Sequence, residues 1–312
     1  MIQVAAECLG ISTDDVFIAD TSTNTVPNTS STAASASSDL NGYAIQNACT
    51  TLKERLAPYY ERLGASTPLR DIAHAAYFDR VSLSATGFYK TPDIGYVWGE
   101  NRGMLHYYYT QGCAAAEVEI DTLTGAWTCL QADIKMDVGR SINPAIDYGQ
   151  IEGAFVQGMG LFTMEESLWH RASGQIATRG PGTYKIPGFR DVPQRMNVSL
   201  LKDVEWKNLR TVSTAMSLSL VGDQSNNVCA QIQRSRGVGE PPLFMGSAVF
   251  FAIRDALKAA RKQWNKEGDE EEVLRLWSPA TVERIRTSVG DPISERVRVV
   301  PQEGEKSFFV TI

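Results

Sequence analysis

The sequence predicts an α+β fold from three observations: two long amphipathic helices, a hairpin with one wet face, and the irregular order in which such segments follow one another. Ahead of the first long helix, Thr21 to Ser38 reads TSTNTVPNTSSTAASASS, a stretch poor in large apolar residues. Composition leaves two readings open there: a flexible linker, or an ordered loop whose small side chains and hydroxyls let the backbone approach a ligand closely. Asp39 and Asn41 are placed to cap a helix in which Ala44, Ile45, Ala48, Leu52, Leu56, Tyr59 and Leu63 recur at three- and four-residue steps up to Gly64. Further on, Ala116, Val118 and Ile120 alternate with Glu117 and Glu119. Turn residues then run to Gly125 and Trp127, which predicts the hairpin.

Asn143-Pro144 opens a helical segment, Ala145 to Glu166, with Ile151, Phe155, Met159 and Phe162 at helical spacing and Gly149, Gly153, Gly158 and Gly160 among them. A glycine inside a helix costs about 1 kcal/mol relative to alanine, so four of them call for a packing or ligand-contact reason. Thr178 to Asp191 is turn-rich, and MNVSLLKDVEW after it is strand-like. From Leu243 to Trp264 the sequence places Phe250, Ile253, Leu257 and Ala260 on one face and Arg254, Lys258, Arg261 and Lys262 largely elsewhere, the second long helix. The acidic run Glu267 to Glu272 reads as a solvated loop, and the tail as short strand-like pieces.

With 312 residues, 43% of them hydrophobic, the chain can bury one large core or two ordinary ones. A formal net charge of -6 gives no electrostatic reason for a nucleic-acid partner. The N-terminus lacks the basic and apolar regions of a signal peptide, and no stretch holds about 18 unbroken apolar residues, so no membrane span is predicted and the cytoplasm is the expected location. Five scattered cysteines (Cys8, Cys49, Cys113, Cys129, Cys229) and three dispersed histidines (His74, His106, His170) predict structural thiols and imidazoles, with no zinc or iron–sulfur site within the chain. The sequons at Asn28 and Asn197 are expected to be idle.

Chemistry concentrates at Gly237-Val238-Gly239-Glu240-Pro241-Pro242, a carboxylate between two glycines and two prolines at the mouth of the second long helix. The prolines restrict the backbone, the glycines permit unusual dihedrals, and a helix N-terminus orients an anion. Glu240 is therefore either a helix cap or a positioned general base. A dinucleotide loop is excluded, because Pro242 stands where the third glycine of G-x-G-x-x-G would be.

Five stretches, in this order, carry a resemblance: NTSSTAASASSDLNGYA, FDRVSLSATGFYKTPDIGY, DIKMDVGRSINPAIDYGQIEGAFVQGMGLFTMEE, TRGPGTYKIPGFRDVP and GVGEPPLFMGSAVFFAIRDALKAAR. Together they resemble the second molybdopterin-binding domain of the xanthine dehydrogenase/aldehyde oxidase family, closest in character to its fungal-type dehydrogenases. The resemblance implies mixed sheets packed with helices and a molybdenum ion held by molybdopterin. It implies that Glu240 is the base in a hydroxylation that takes its oxygen from water. Ala34 would lie against the molybdenum; Thr32, Ala33, Ser35 and Ser37 would face the pterin, and Gln150, in the turn before the glycine-bearing helix, would contact it too.

The expected activity is oxidation of hypoxanthine or xanthine to urate by a longer protein that also carries iron–sulfur clusters, FAD and NAD, works as a homodimer, and resides in the cytoplasm or peroxisome. By the same resemblance residues 1–312 form the C-terminal portion of the molybdenum domain, and the substrate-orienting segments precede the point that matches Met1, so this chain alone is expected to be inactive. A 20-residue stretch, Val212 to Gln231, interrupts the family pattern and reads as a retained intron; eight residues separate it from Glu240, close enough to displace the base. An aldehyde oxidase fragment, or a non-catalytic cofactor-binding or assembly protein, are the alternatives.

Overall fold

The computed structural model describes residues 1–92, 94–170, 172–201, 235–264, 274 and 276–297. Val212 to Gln231, the acidic run, Cys229 and the last fifteen residues, 298–312, lie outside them. The chain forms two compact units, each assembled from segments distant in sequence: Met1–Thr110 with Val138–Pro144 and the stretch ending at Gly237, and Gln111–Asp137 with Ala145–Leu201 and everything from Val238 onward.

The first unit contains α1 (Ile2–Leu9), α2 (Ser37–Leu63), α3 (Leu69–Phe78) and a two-stranded antiparallel pair, β1 (Gly95–Val97) and β2 (Arg102–Met104). Apolar periodicity makes α2 bury Leu56 and Tyr59 against Ile72 and Ala76 of α3, with Leu69 and Val81 packed around them. The predicted Asp39/Asn41 cap does not form. Helix α2 begins earlier, its N-cap is Ala36 and no side chain closes it, because Asp39 is engaged elsewhere; the predicted end at Gly64 is observed, with φ of 107°. The stretch after α3 has no regular structure, yet α2 holds it by its polar face. Asn47 Nδ2 donates to the Phe88 carbonyl at 2.7 Å, Arg55 donates to the carbonyls of Ser82 and Ser84, and Tyr43 stacks on Tyr89 at 4.4 Å. Gly87 is required at this crossing, since a Cβ there would sit 1.8 Å from the Ala44 carbonyl oxygen.

In the second unit β3 (Gly112–Ile120) and β4 (Trp127–Met136) form the predicted hairpin, and its turn closes with the Gly125 N–H donating to the Asp121 carbonyl at φ of 79°. Burial alternates along β3 as its sequence predicts. Strand β5 (Arg195–Leu200) joins β4 in parallel, making the sheet mixed. Three further helices complete the central part: α4 (Pro144–Thr163), the single turn α5 (Pro181–Tyr184) and α6 (Ser247–Lys262). Ile134 and Met136 of β4, Ile151, Phe155 and Met159 of α4, and Val249, Ile253 and Leu257 of α6 are fully buried. Two expectations are corrected. The helix predicted from Leu243 starts as α-helix only at Ser247, after a 3-10 segment Pro241–Gly246 in which Leu243 and Gly246 lie closely against Gly158 and Met159 of α4. The tail, read as strand-like, instead forms α7 (Val282–Ser288) and α8 (Pro292–Val297), each opened by a capping side chain: Thr281 accepts from the Arg284 amide, and Asp291 from the Ile293 and Ser294 amides at 2.9 and 2.7 Å.

The thiols are mixed in character: Cys49 and Cys129 are buried, Cys8 is half-buried and Cys113 is exposed. Among the described residues no helix is long and apolar enough to cross a membrane.

Candidate functional site

The small-residue loop before α2 has a defined shape. Ala34 and Ser35 both adopt the left-handed region, with φ of 53° and 54°, a costly conformation for two consecutive residues that carry a Cβ. Thr32, Ala33 and Ala34 are exposed, Ser35 is half-buried, and Ser37 is the half-buried first residue of α2. The first unit brings this loop against the start of the Gly-Val-Gly-Glu-Pro-Pro motif: a Cβ on Gly237 would lie 3.0 Å from the Ser35 carbonyl oxygen and 3.2 Å from its Cβ, so only a glycine passes there without displacing a neighbour.

Gly237 is held on both sides of its peptide. Its N–H donates to the Tyr108 hydroxyl at 2.7 Å, and its carbonyl accepts from Thr110 Oγ1 at 3.1 Å. The Tyr108 hydroxyl donates in turn to Asp39 Oδ2 at 2.6 Å. Burial, and then the Asp39 charge, push the phenol's pKa well above its ordinary value, so the hydroxyl keeps its proton. Just upstream, Arg236 donates from its backbone to the Val138 carbonyl and from Nη1 to the Tyr109 carbonyl, and Ser235 bridges to Gly139.

In the second unit Glu240 is exposed and occupies the residue before the 3-10 segment, without a side-chain cap hydrogen bond. Glu240 thus stands at the N-cap position, but its side chain does not accept the cap hydrogen bond. The segment after it is fixed by contact between backbones. A Cβ on Gly158 of α4 would fall 1.8 Å from the Leu243 carbonyl oxygen, one on Gly246 would fall 2.2 Å from the Met159 nitrogen, and Gly112 of β3 faces the Met245 side chain. Gly158 thus has the packing reason that its helical position demands, as has Gly160 against Pro187. Gly149 and Gly153 have none among the described residues: a Cβ on either would meet nothing within 4 Å. Gln150 is not in a turn ahead of α4 but inside it, exposed between those two glycines, because Pro144 takes the first helical position and starts the helix six residues earlier.

Of the loop residues Thr32, Ala33, Ala34, Ser35 and Ser37 in the first unit, Ser35 lies beside Gly237, while Glu240 and Gln150 stand on separate elements of the second unit. Tyr108, Thr110 and the role of Asp39 were missed by sequence reasoning; the only signal is the run Tyr107-Tyr108-Tyr109-Thr110, which carries no periodicity. A pterin cofactor fits this chemistry. The exposed, left-handed loop offers hydroxyls and unhindered backbone, and the open face of α4 beside Gln150 admits a close approach. Among the described residues no group of three His, Cys, Asp or Glu is placed to hold a metal ion.

The molybdopterin cofactor-binding domain family matches residues 1–193. A xanthine dehydrogenase from Emericella nidulans is 69% identical over 312 residues, which is 100% of this chain and 21% of that protein. A nicotinate hydroxylase from the same organism is 53% identical over 317 residues, again 100% of this chain and 20% of the relative. The chain thus spans about a fifth of the length of the curated relatives it matches. Among solved structures, quinoline 2-oxidoreductase from Pseudomonas putida 86 superposes with a TM-score of 0.67 at 25% identity, over 93% of this chain and 35% of that one.

Proposed function

From the premise that this chain belongs to the molybdopterin cofactor-binding domain family, we propose that it is the C-terminal portion of the molybdenum domain of a xanthine dehydrogenase-type hydroxylase, converting hypoxanthine and xanthine to urate with water as the oxygen source. The observation that carries the proposal is the seating of Gly237, the first residue of the Gly-Val-Gly-Glu-Pro-Pro motif, beside Ser35 of the small-residue loop. When bound, the molybdenum cofactor supplies the two-electron acceptor for the hydroxylation. Ala34 would lie on its metal side, and Thr32, Ala33, Ser35, Ser37 and Gln150 would contact the pterin. The Glu240 carboxylate accepts the proton of the water whose oxygen enters the purine, and its position between Gly239 and two prolines limits how far it can swing.

The complete protein in this reading would also hold iron–sulfur clusters, FAD and NAD, which would supply the outlet for the electrons, and it would be a cytoplasmic homodimer. Within it, residues 1–312 make up one portion of the molybdenum domain, with 212–231 an insert. Replacing Glu240 by Gln in the complete enzyme should lower turnover by about 10²- to 10⁴-fold, the range of a lost general base, with molybdenum content unchanged. Loss of the metal together with activity would make Glu240 structural. The 53% identity to a nicotinate hydroxylase favours a second reading, in which the substrate is another electron-poor nitrogen ring. Steady-state assays of the complete enzyme on xanthine, nicotinate and an aromatic aldehyde separate the purine, pyridine and aldehyde readings by kcat/KM.

A further inference from the structure

We propose that Tyr108 is a positioning residue for Glu240, acting through the Gly237 peptide; this rests on the reading of Glu240 as the base. Three hydrogen-bonded groups define the device. Asp39 lies in the first turn of α2, four residues after the left-handed Ser35, and its carboxylate can only accept. The Tyr108 hydroxyl must therefore be the donor in their 2.6 Å contact, which turns its lone pairs toward the Gly237 N–H at 2.7 Å. A single proton arrangement satisfies all three groups, and it is directional: the carboxylate orients the phenol, and the phenol orients the glycine.

Gly237 is the point where this matters. It touches Ser35 on one side, its carbonyl is fixed by Thr110, and only Val238 and Gly239 separate it from Glu240. Val238 is itself buried, so the two-residue arm from the anchor to the carboxylate has little slack. The phenol consequently sets one common reference for the cofactor-facing loop and for the residue from which the base is suspended. Burial and the adjacent carboxylate keep the phenol protonated across the working pH range, so the clamp does not open by titration.

The test uses the complete enzyme. In Tyr108→Phe both hydrogen bonds are lost while the ring is kept. The Gly237 amide, followed by hydrogen exchange in the peptide covering 235–240, should exchange about fivefold faster, the effect of one hydrogen bond of ordinary strength. The kcat should fall by about 10- to 100-fold, the penalty of a misplaced catalytic group. KM should stay within about twofold and molybdenum content should not change, because neither substrate nor cofactor contacts are removed. Asp39→Asn, whose amide oxygen still accepts from the phenol, should restore most of kcat, whereas Asp39→Leu should behave as Tyr108→Phe. If Tyr108→Phe fails to accumulate, Thr110→Val removes the second bond to Gly237 and should lower kcat with the metal retained.

Unchanged kcat despite faster exchange at Gly237 would overturn the proposal, as would molybdenum lost in step with kcat, or faster exchange spread through α2 and β3. Glu240→Gln distinguishes this from failure of the underlying reading: turnover persisting in that variant removes Glu240 as base whatever Tyr108 does, whereas a slow Glu240→Gln beside a fully active Tyr108→Phe removes only the positioning role.

Discussion

Ala34 and Ser35 stand at φ values that cost an L-residue roughly 1 kcal/mol or more, and neither is glycine. A β-branched side chain at Ala34 makes that conformation much worse, so Ala34→Val should lose molybdenum content in the complete enzyme, measured by metal analysis, while Ala34→Gly should retain it and relax the loop. A different residue-scale consequence lies at Asp291, which opens α8. The Ser294 N–H first, and then the Arg286 guanidinium at 2.9 Å, hold its carboxyl below the usual carboxylate range. Its folded pKa is thus depressed. Its stabilising effect is fully present above about pH 4, the ordinary carboxylate value, and disappears as pH falls through the folded value. Asp291→Ala should lower the urea midpoint at neutral pH by the equivalent of about 1–2 kcal/mol, the worth of a lost cap, and should differ less from the parent as pH falls below 4.

At the scale of elements, the two kinds of glycine in α4 make opposite predictions. Gly158 is pressed onto the Leu243 carbonyl, so Gly158→Ala should destabilise by about 1–3 kcal/mol, as overpacking against backbone does, and should disturb the segment that follows Glu240. Gly153 faces open space within the chain, and Gly153→Ala should raise the thermal midpoint of this chain by the helix-propensity gain of up to about 1 kcal/mol, yet lower cofactor content in the complete enzyme if the pterin approaches there. Thermal unfolding of the two variants side by side checks both signs. The sequence made the amphipathic helices α2 and α6 and the β3–β4 hairpin legible, because a period of 3.6 or 2 repeats several times in each. It hid α7 and α8, since six or seven residues hold too few turns for a period and only the caps at Thr281 and Asp291 announce them. The candidate residues legible in sequence were those that a motif or the family resemblance carries, Glu240 and the Thr32–Ser37 loop. The link from Asp39 through Tyr108 to Gly237 was not, because hydrogen bonds between residues 69 and 129 positions apart leave no local pattern.

For the whole molecule, the apolar surface bears on what the chain is built to meet. Phe189 is 94% exposed, Phe17 86%, Trp98 78% and Phe244 75%, values that suit a surface intended to be covered. In the reading proposed above, the remainder of a longer polypeptide would cover it. Produced by itself, the chain should bind a hydrophobic dye and self-associate in light scattering, and co-expression with the preceding portion of a complete enzyme should reduce both. The pinning of Ser235, Arg236 and Gly237 also has a mechanical meaning. Three successive residues are fastened at Gly139, Val138, Tyr109 and Tyr108, so a pull on this strand is shared among several bonds in the first unit before any one of them has to yield.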